Sequence, residues 1–359
     1  MNYFVNEKSI NASSGKVASG KARQDINNIL KKIGYTPINI HVAGDTDASR
    51  EKMTFLKKMQ SHYKVYKAWK RAIAPFKAGD RIVLQYPVIN HTLLMEKISK
   101  KLKNKNVKLI LIIHDLSVLR FNLDKKSKIR SYRIRFEENT MLKIADYIIS
   151  HNDIMSEYIY NSNYKGEIIP LTVFDYLIDK GVLDEIPIRR KESPIIIAGN
   201  LAKEKAGYAY ALPGNYCFNL YGIKYTGEEN DMISYKGSFD ADKLPYHLEG
   251  GFGLVWDGPD IDGCSGEYGN YLKYNNPHKV SLYLACGIPV IIWSKAAMSK
   301  FIKDNKVGIV IDSLSDIHNK LSSISAEEYN DMLKNTKIIS ARLRDGYYTK
   351  EALKKVDSK

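Results

Sequence analysis

The chain has 359 residues, 44 % of them hydrophobic, and a formal net charge of +15. Its length suits two domains rather than one core, and its apolar content excludes a disordered protein. The three cysteines are too few and too widely spaced for a disulfide framework or a zinc site, and no apolar run is long enough to span a membrane.

Short apolar strands alternate with helical stretches in chain order, a pattern typical of parallel sheets with helices on both faces. In the first half, the predicted strands are 3–5, 81–86, 107–113 and 147–150, and the predicted helices are 21–33, 53–73, 91–102 and 132–144. In the second half, the predicted strands are 194–198, 218–221, 252–256 and 289–293, with helices at 277–285 and in the tail. We therefore predict an α/β fold with two Rossmann-like parallel-sheet domains that face an interdomain cleft.

A charged segment with two prolines, 180–194, precedes a new buried strand and marks a domain boundary. The predicted domains are 1–185 and 186–325, followed by C-terminal helices in 326–359. The N-terminus does not have the pattern of a signal peptide, so we expect a cytoplasmic protein.

Positive charge is concentrated in the first half, in three clusters that span 64–77, 97–105 and 125–135. Each cluster alone fits a core-facing helix with its lysines in solvent. The three together favour contact with an anionic membrane surface, so a peripheral location at the inner face of the membrane stays open. No nucleic-acid partner is expected, because no reading motif accompanies the charge.

The segment 15–22 nearly matches a nucleotide P-loop, but Ala22 stands where a Ser or Thr must hold magnesium. We expect instead a flexible loop that lines the cleft and leads into the first helix. Its predicted site residues are Ser14, Gly15 and Gly20.

His114 and Asp115 directly follow a strongly apolar strand. Ligands of open parallel sheets bind beyond the carboxyl ends of the strands, so both side chains are predicted to lie at the cleft edge. Either could remove a proton from a sugar hydroxyl. The alternative is a capping aspartate and a packed histidine.

The segment around Lys279 predicts an anion site. A helix is expected to begin here, with Asn276 as its N-cap and Pro277 at its first position. A cation in the first turn lies at the positive end of the helix dipole, where it is disfavoured. A bound phosphate would offset this cost, because Lys279 and the exposed N–H groups would bind it. His278 is expected as a second cation there. The predicted binding residues are Asn275, Asn276, His278 and Lys279, with Asn200, Lys203 and Lys205 from another strand end.

The acidic segment 257–267 does not have the spacing of an EF-hand loop. A tight turn is therefore expected there rather than a metal site.

Several segments together resemble the bacterial β-1,6-galactofuranosyltransferases of O-antigen and capsule assembly, which are GT-B glycosyltransferases. The streptococcal adhesin glucosyltransferases are similar at a greater distance. The longest matching segment is 271–279, and further ones are 20–23, 113–115, 174–177, 198–201, 237–240, 256–258, 264–266 and 285–291.

The resemblance implies the GT-B fold, a UDP-sugar held mainly by the C-terminal domain, and no metal or other cofactor. It implies that Asn276 and Lys279 lie at the diphosphate and that Gly20, His114 and Asp115 lie on the acceptor side, with the tail helix crossing back to the first domain. The expected partners are UDP-galactofuranose and a lipid-linked glycan acceptor, and a homo-oligomer stays open.

Many retaining GT-B enzymes carry a glutamate five residues before the glycine that corresponds to Gly287, and here that position is Leu282. The resemblance therefore favours an inverting galactofuranosyltransferase of surface polysaccharide biosynthesis, with Asp115 as the first candidate for the base and His114 as the second. Two alternatives stay open: a UDP-glucose-dependent glucosyltransferase that acts on a glycan or glycoprotein, and a non-catalytic GT-B partner subunit.

Overall fold

A computed structural model provides the structure of the protein, and it describes residues 1–7, 18–40, 54–89, 91–123, 129–178 and 189–359. Contacts within the chain divide it into two compact units. The first unit contains the described residues within 1–12, 26–171 and 352–359, and the second contains those within 13–25 and 172–351.

The first unit is built around a parallel sheet. Among its described residues, six strands run in the order β2-β1-β3-β4-β5-β6. Its strands are β1 (Asn2–Val5), β2 (Thr36–Ile38), β3 (Arg81–Tyr86), β4 (Lys108–Ile113), β5 (Tyr147–Ser150) and β6 (Glu167–Pro170). The helices of this half of the chain are α1 (Ala18–Lys32), α2 (Phe55–Ala72), α3 (Met95–Asn104), α4 (Ser117–Arg120), α5 (Ile129–Ile144) and α6 (Asp153–Asn161).

The second unit repeats this plan. Its described residues form a six-stranded parallel sheet in the order β12-β11-β10-β7-β8-β9. Its strands are β7 (Ile195–Asn200), β8 (Phe218–Ile223), β9 (Ile233–Tyr235), β10 (Phe252–Val255), β11 (Val290–Trp293) and β12 (Gly308–Ile311). The helices of this half are α7 (Lys203–Ala206), α8 (Gly266–Tyr271), α9 (His278–Ala285), α10 (Ser299–Asp304), α11 (Ile317–Ser323), α12 (Ala326–Asp345) and α13 (Tyr347–Asp357).

The central strands of both sheets are almost wholly buried, which explains their continuous apolar sequences. In the first sheet, β3 and β4 pair along their full length, from Arg81 opposite Lys108 to Tyr86 opposite Ile113. The predicted α/β fold with two parallel sheets is thus confirmed. No helix in the described ranges has the length and apolar character needed to cross a bilayer.

The eight strands predicted from the sequence are all present, and the four that the prediction missed are β2, β6, β9 and β12. These four are the outermost strands of the two sheets. Each has only three or four residues, and their burial is partial. β2, β6 and β9 have no long apolar run of the kind on which the prediction depended. β12 does have one, in Ile309, Val310 and Ile311, and the prediction missed it although the pattern was present.

Candidate functional site

The strand order of the second sheet identifies where a ligand would bind. The chain passes from β7 to β8 and β9 on one side, and then returns to β10 on the other side of β7. Neighbouring connections diverge at such a switch point and leave a crevice beyond the carboxyl ends of the two strands. Here that crevice lies beside Asn200, which ends β7, and Trp256 and Asp257, which follow β10.

Helix α9 is held closely against this edge of the sheet. The hydroxyl of Tyr283 accepts a hydrogen bond from the backbone N–H of Ala198 at 2.8 Å, which ties the helix to β7. Gly253 in β10 makes room for the Tyr283 ring, because a Cβ there would lie 2.2 Å from Cγ of the ring. The N-terminus of α9 is thereby fixed near the switch point.

Lys279, in the first turn of α9, reaches directly over the strand ends. Its Nζ donates to the carbonyl oxygen of Trp256 and to Oδ1 of Asp257, both at 2.9 Å. Its stem crosses Gly199, where a Cβ would lie 3.4 Å from Cε of the lysine. An ammonium group has three donors, so these two contacts leave one for a further acceptor.

The charges of this site differ from the sequence-based expectation. Burial by itself lowers the pKa of Lys279, but Asp257, with help from Tyr283, outweighs it and raises the pKa above the ordinary value. Burial, with a smaller effect of Lys205, lowers the pKa of His278 to about 4. A lowered pKa disfavours the second cation expected at His278, whose ring centre lies 4.6 Å from that of Phe174.

The prediction of Asn276 as the N-cap of α9 is also wrong. Pro277 occupies the N-cap position, with extended backbone angles, and the helix begins at His278. Asn276 is buried and donates from Nδ2 to the carbonyl oxygen of Thr172 at 3.0 Å. Next to it, the side-chain oxygen of Asn275 is buried and accepts no hydrogen bond within the part of the chain that the structure describes.

The residues beyond β7 contribute to the site unequally. Oδ1 of Asn200 accepts from the N–H of Ala202 at 3.0 Å, so this side chain shapes the turn after the strand. Lys205 lies 5.4 Å from the ring centre of Tyr268 and close enough to His278 to affect its pKa. Lys203 is exposed and lies over the ring of Tyr210 instead.

The backbone is unusually close-packed where β7 and β8 end. Gly199 and Gly222 are register partners, and both have positive φ values, 133° and 151°. A Cβ at Gly222 would lie 1.7 Å from the carbonyl oxygen of Gly199. Glycine is required here by backbone conformation and by lack of space together.

The first sheet also has a switch point, between β1 and β3. A chain of polar side chains starts at His114, just after β4, with Nε2 of the histidine 2.6 Å from Oε1 of Gln85. The chain continues through Nε2 of Gln85 to Asn27 at 2.8 Å, and from Asn27 to Asn6 at 3.2 Å. Because Gln85 donates from Nε2 to Asn27, its Oε1 faces His114, and this arrangement suits a ring protonated at Nε2 with Nδ1 as the acceptor.

Two carboxylates lie at the same carboxyl edge of the first sheet. Oδ2 of Asp115 accepts from the guanidinium of Arg120 at 2.9 Å, and both side chains are partly exposed. Glu7 follows β1, is 6 % exposed, and accepts from the N–H of Ile89 at 3.1 Å. Sequence reasoning missed Glu7, although its position two residues after a buried strand is the signal that singled out Asp115.

The loop predicted around Gly20 lies partly outside the described residues. Ser14 and Gly15 lie outside the described residues, and the structure places Gly20 within α1 rather than in a loop. Lys21, at the P-loop lysine position, is bound to Asp25 and to the carbonyl oxygen of Leu177. This helical setting with an occupied lysine is not a P-loop.

The acidic segment 257–267 after β10 is irregular with bends, and its last two residues begin α8. Nε1 of Trp256 donates to the carbonyl oxygen of Asp260 at 2.9 Å, and Asp262 accepts from the hydroxyl of Ser313 at 2.8 Å. No group of three or more His, Cys, Asp or Glu residues with metal-binding geometry occurs among the described residues.

Two family models match the chain in sequence. The N-terminal domain of the glucosyltransferase 3-like proteins matches residues 2–173, and the C-terminal domain of the same proteins matches residues 195–356. The two matches together span most of the chain.

Curated relatives include a β-1,6-galactofuranosyltransferase and a glucosyltransferase. The chain is 38 % identical to β-1,6-galactofuranosyltransferase WbbI of Escherichia coli K12 over 221 residues, which are 61 % of this chain and 66 % of the relative. It is 24 % identical to glucosyltransferase 3 of Streptococcus gordonii, over 97 % of each chain. The resemblance to the galactofuranosyltransferases is thus confirmed.

Solved structures support the fold. Sucrose-phosphate synthase from Thermosynechococcus elongatus matches 99 % of this chain and 97 % of its own with a TM-score of 0.62 and 15 % identity. AviGT4, a glycosyltransferase involved in avilamycin A biosynthesis, matches 99 % of this chain and 96 % of its own with a TM-score of 0.54 and 10 % identity. Together with the two six-stranded parallel sheets, these matches confirm the GT-B fold. The chain therefore belongs to the glucosyltransferase 3-like family of glycosyltransferases.

Proposed function

We propose that this glycosyltransferase moves galactofuranose from UDP-galactofuranose to a hydroxyl of a lipid-linked glycan acceptor in surface polysaccharide biosynthesis. The choice of sugar is supported by the 38 % identity to a β-1,6-galactofuranosyltransferase. The observation that carries the transferase role is the position of Lys279 over the switch point of the second sheet.

The donor diphosphate would bind between the N-terminus of α9 and the end of β7. Backbone N–H groups, the remaining donor of Lys279 and the ammonium group of Lys205 would face its negative charge. Gly199 has no side chain of its own, which leaves room for the Lys279 side chain to cross the strand end toward the ligand. Among the described residues no donor reaches the buried side-chain oxygen of Asn275, so a hydroxyl or N–H group of a ligand that reached it would relieve an unfavourable state.

Transfer would proceed with inversion. Leu282 is apolar and 6 % exposed, so no carboxylate stands where many retaining enzymes of this fold have one. An inverting reaction needs a base that takes the proton of the acceptor hydroxyl while its oxygen attacks the anomeric carbon. The bond to UDP breaks in the same step, and UDP leaves with the electron pair. Our first candidate for the base is Asp115, the second is His114 and the third is Glu7.

No metal would be required for this reaction. The charge that develops on the departing UDP would be stabilised by Lys279, Lys205 and the N–H groups of α9, which are held in place before the reaction begins. Full activity after treatment with EDTA is the expected result, and loss of activity that returns on addition of Mg²⁺ would contradict this part of the proposal.

A second function has support of its own. Glucosyltransferase 3 of Streptococcus gordonii aligns with 97 % of this chain, although at lower identity. The same fold and anion site would serve a UDP-glucose-dependent glucosyltransferase that acts on a glycan or glycoprotein. A non-catalytic partner subunit fits less well, because the anion site around Lys279 is intact.

A donor screen tests the proposal. The protein is incubated with UDP-galactofuranose, UDP-glucose and UDP-galactose, and release of UDP is measured with and without a glycan acceptor. Turnover of UDP-galactofuranose is the expected result. Turnover of UDP-glucose alone would instead support the second function, that of a glucosyltransferase. Turnover of none of these donors, by protein that binds none of them, would overturn both enzymatic functions.

A further inference from the structure

Helix α2 carries positive charge without any negative charge. Its 18 residues include five lysines and one arginine and no acidic residue. Val65 and Trp69 are buried and form the side that packs on the protein. The exposed basic residues lie around the remaining surface and comprise Lys57, Lys64, Lys67, Lys70 and Arg71.

The N-terminal end of the same helix exposes large apolar side chains. Phe55 is 76 % exposed, Leu56 is 74 % exposed, and Met59 and Tyr63 are about half exposed. Isolated apolar residues on a surface are ordinary, but a contiguous group beside a lysine-rich face marks a site of interaction.

Two further helices extend this surface. Contacts join α2 to α3 and α3 to α5, so the three helices form one layer of the first unit. Helix α5 exposes Tyr132 and Phe136 in its N-terminal half, and Leu93 is exposed just before α3. We call the exposed residues Phe55, Leu56, Met59, Tyr63, Leu93, Tyr132 and Phe136 the apolar edge.

The topology places the apolar edge at one particular end of the unit. All strand pairs of the first sheet are parallel, so the connecting helices run in the opposite direction to the strands. The N-terminal ends of α2, α3 and α5 therefore lie toward the carboxyl edge of the sheet. His114, Asp115 and Glu7 follow strands at that same edge.

The charge decides which partner suits this surface. A second copy of the chain would bring two lysine-rich helices together, and their repulsion opposes such a contact. A nucleic acid would match the charge but offers nothing to Phe55, Leu56 and Met59. An anionic bilayer matches both features, because its head groups attract lysine and its interface accepts aromatic and aliphatic side chains.

We propose that the apolar edge and the basic residues of α2 dock this protein on the surface of an anionic phospholipid bilayer. The apolar side chains enter the head-group region and the lysines contact the phosphates. Four of the five exposed basic residues lie in the C-terminal half of α2, so the helix would lie along the lipid surface, with its apolar N-terminal end beside the carboxyl edge of the first sheet. This placement would serve a lipid-linked acceptor, a point that rests on the proposed function.

Vesicle sedimentation tests the docking. The full chain is mixed with vesicles of phosphatidylcholine alone or of phosphatidylcholine with phosphatidylglycerol, and the bound fraction is measured at low and high salt. We expect binding to the anionic vesicles only, and weaker binding at high salt. Failure to bind the anionic vesicles, or equal binding to both kinds, would overturn the proposal.

Surface variants identify the residues that carry the binding. The triple variant Phe55→Ser, Leu56→Ser, Met59→Ser and the double variant Lys64→Glu, Lys67→Glu change only exposed residues, so both should keep the wild-type Tm. The double variant should lower the partition coefficient at least about 25-fold, since one basic residue at an anionic surface strengthens binding about fivefold. The matched controls are Ile338→Ser and Lys300→Glu, which alter exposed residues of the second unit and should bind as the wild type does.

Two further readouts separate this proposal from its rivals. Hydrolysis of the nucleotide-sugar donor in solution should be unchanged in the triple variant, so a failed donor screen and a failed sedimentation test have different meanings. A change of oligomeric state in the triple variant, with unchanged vesicle binding, would show that the apolar edge joins copies of the chain and would overturn the bilayer proposal.

Discussion

Nζ of Lys279 lies 2.9 Å from Oδ1 of Asp257, so the lysine proposed to bind the donor diphosphate has a carboxylate partner. The pair keeps the lysine charged although it is largely buried, because the nearby carboxylate offsets the cost of desolvation. It also fixes the direction of the side chain across Gly199. A lysine prepared in this way loses little freedom when the ligand binds.

Replacement of this lysine should weaken nucleotide binding. Lys279→Ala removes one charge-assisted hydrogen bond, so we expect the Kd for UDP to rise about 10- to 100-fold. Isothermal titration calorimetry measures this directly. Lys300→Ala removes an exposed lysine from the same unit and should leave the Kd unchanged, and equal affinity of Lys279→Ala and wild type would remove the phosphate role.

The base of the reaction should be found among three residues at the carboxyl edge of the first sheet. We expect Asp115→Asn to lower kcat about 100-fold or more, because Asp115 is the first candidate for the base. A loss of that size in His114→Ala would identify His114 as the base instead, and in Glu7→Gln it would identify Glu7. UDP should bind all three variants as it binds the wild type. If kcat falls by no more than about tenfold in every variant, the proposal that one of these three residues is the base is wrong.

Two buried aspartates of the second unit should make stability depend on pH. Burial raises the pKa of Asp25 from 3.8 to about 6 and the pKa of Asp175 to about 7. Between the ordinary and the raised value, the folded chain holds more protons than the unfolded chain, so the free energy of unfolding falls as pH rises. The stability that protonation provides is complete below 3.8 and lost once pH has passed the raised pKa.

The variant Asp25→Asn removes one of these titrations. Its free energy of unfolding, minus that of the wild type, should become more positive as pH rises from 3.8 to about 6 and then stay constant. Urea unfolding at a series of pH values measures the difference. Asp331→Asn, at an exposed site, is the control for loss of a carboxylate, and identical pH profiles for Asp25→Asn and wild type would contradict the prediction.

The paired glycines near the ends of β7 and β8 should not tolerate a side chain. Gly222→Ala places a methyl group 1.7 Å from the carbonyl oxygen of Gly199 at a φ of 151°, so we expect a loss of stability of about 3 kcal/mol or more. Thermal unfolding measures it. Gly214→Ala is the matched control, because a Cβ there has open space, and an equal Tm for both variants would show that the strand ends can move apart.

The sequence predicted the centre of each sheet well and its edges poorly. Strands such as β3 and β4 are buried on both faces, so their residues are continuously apolar and the prediction was confirmed. Strands β2 and β9 have three residues each and form because they pair with a neighbouring strand. The local sequence does not show this pairing.

The same limit applies to the candidate site. Lys279 could be predicted as a binding residue because a cation in the first turn of a helix is disfavoured by the helix dipole. Its partner Asp257 lies 22 residues away, and Asn276 was misassigned because its side chain bonds to Thr172, 104 residues away. Contacts of this kind depend on how strands are ordered in the sheet, and no local pattern contains that order.

The contact between Gly199 and Gly222 also affects how mutational data on this protein should be interpreted. A complete substitution scan would find only glycine accepted at Gly222, beside residues proposed to bind the donor. Such intolerance is commonly taken as the mark of a catalytic position. Here it would report the separation of two backbones, and only a binding assay on folded variants would distinguish the residues that contact the nucleotide from those that shape its crevice.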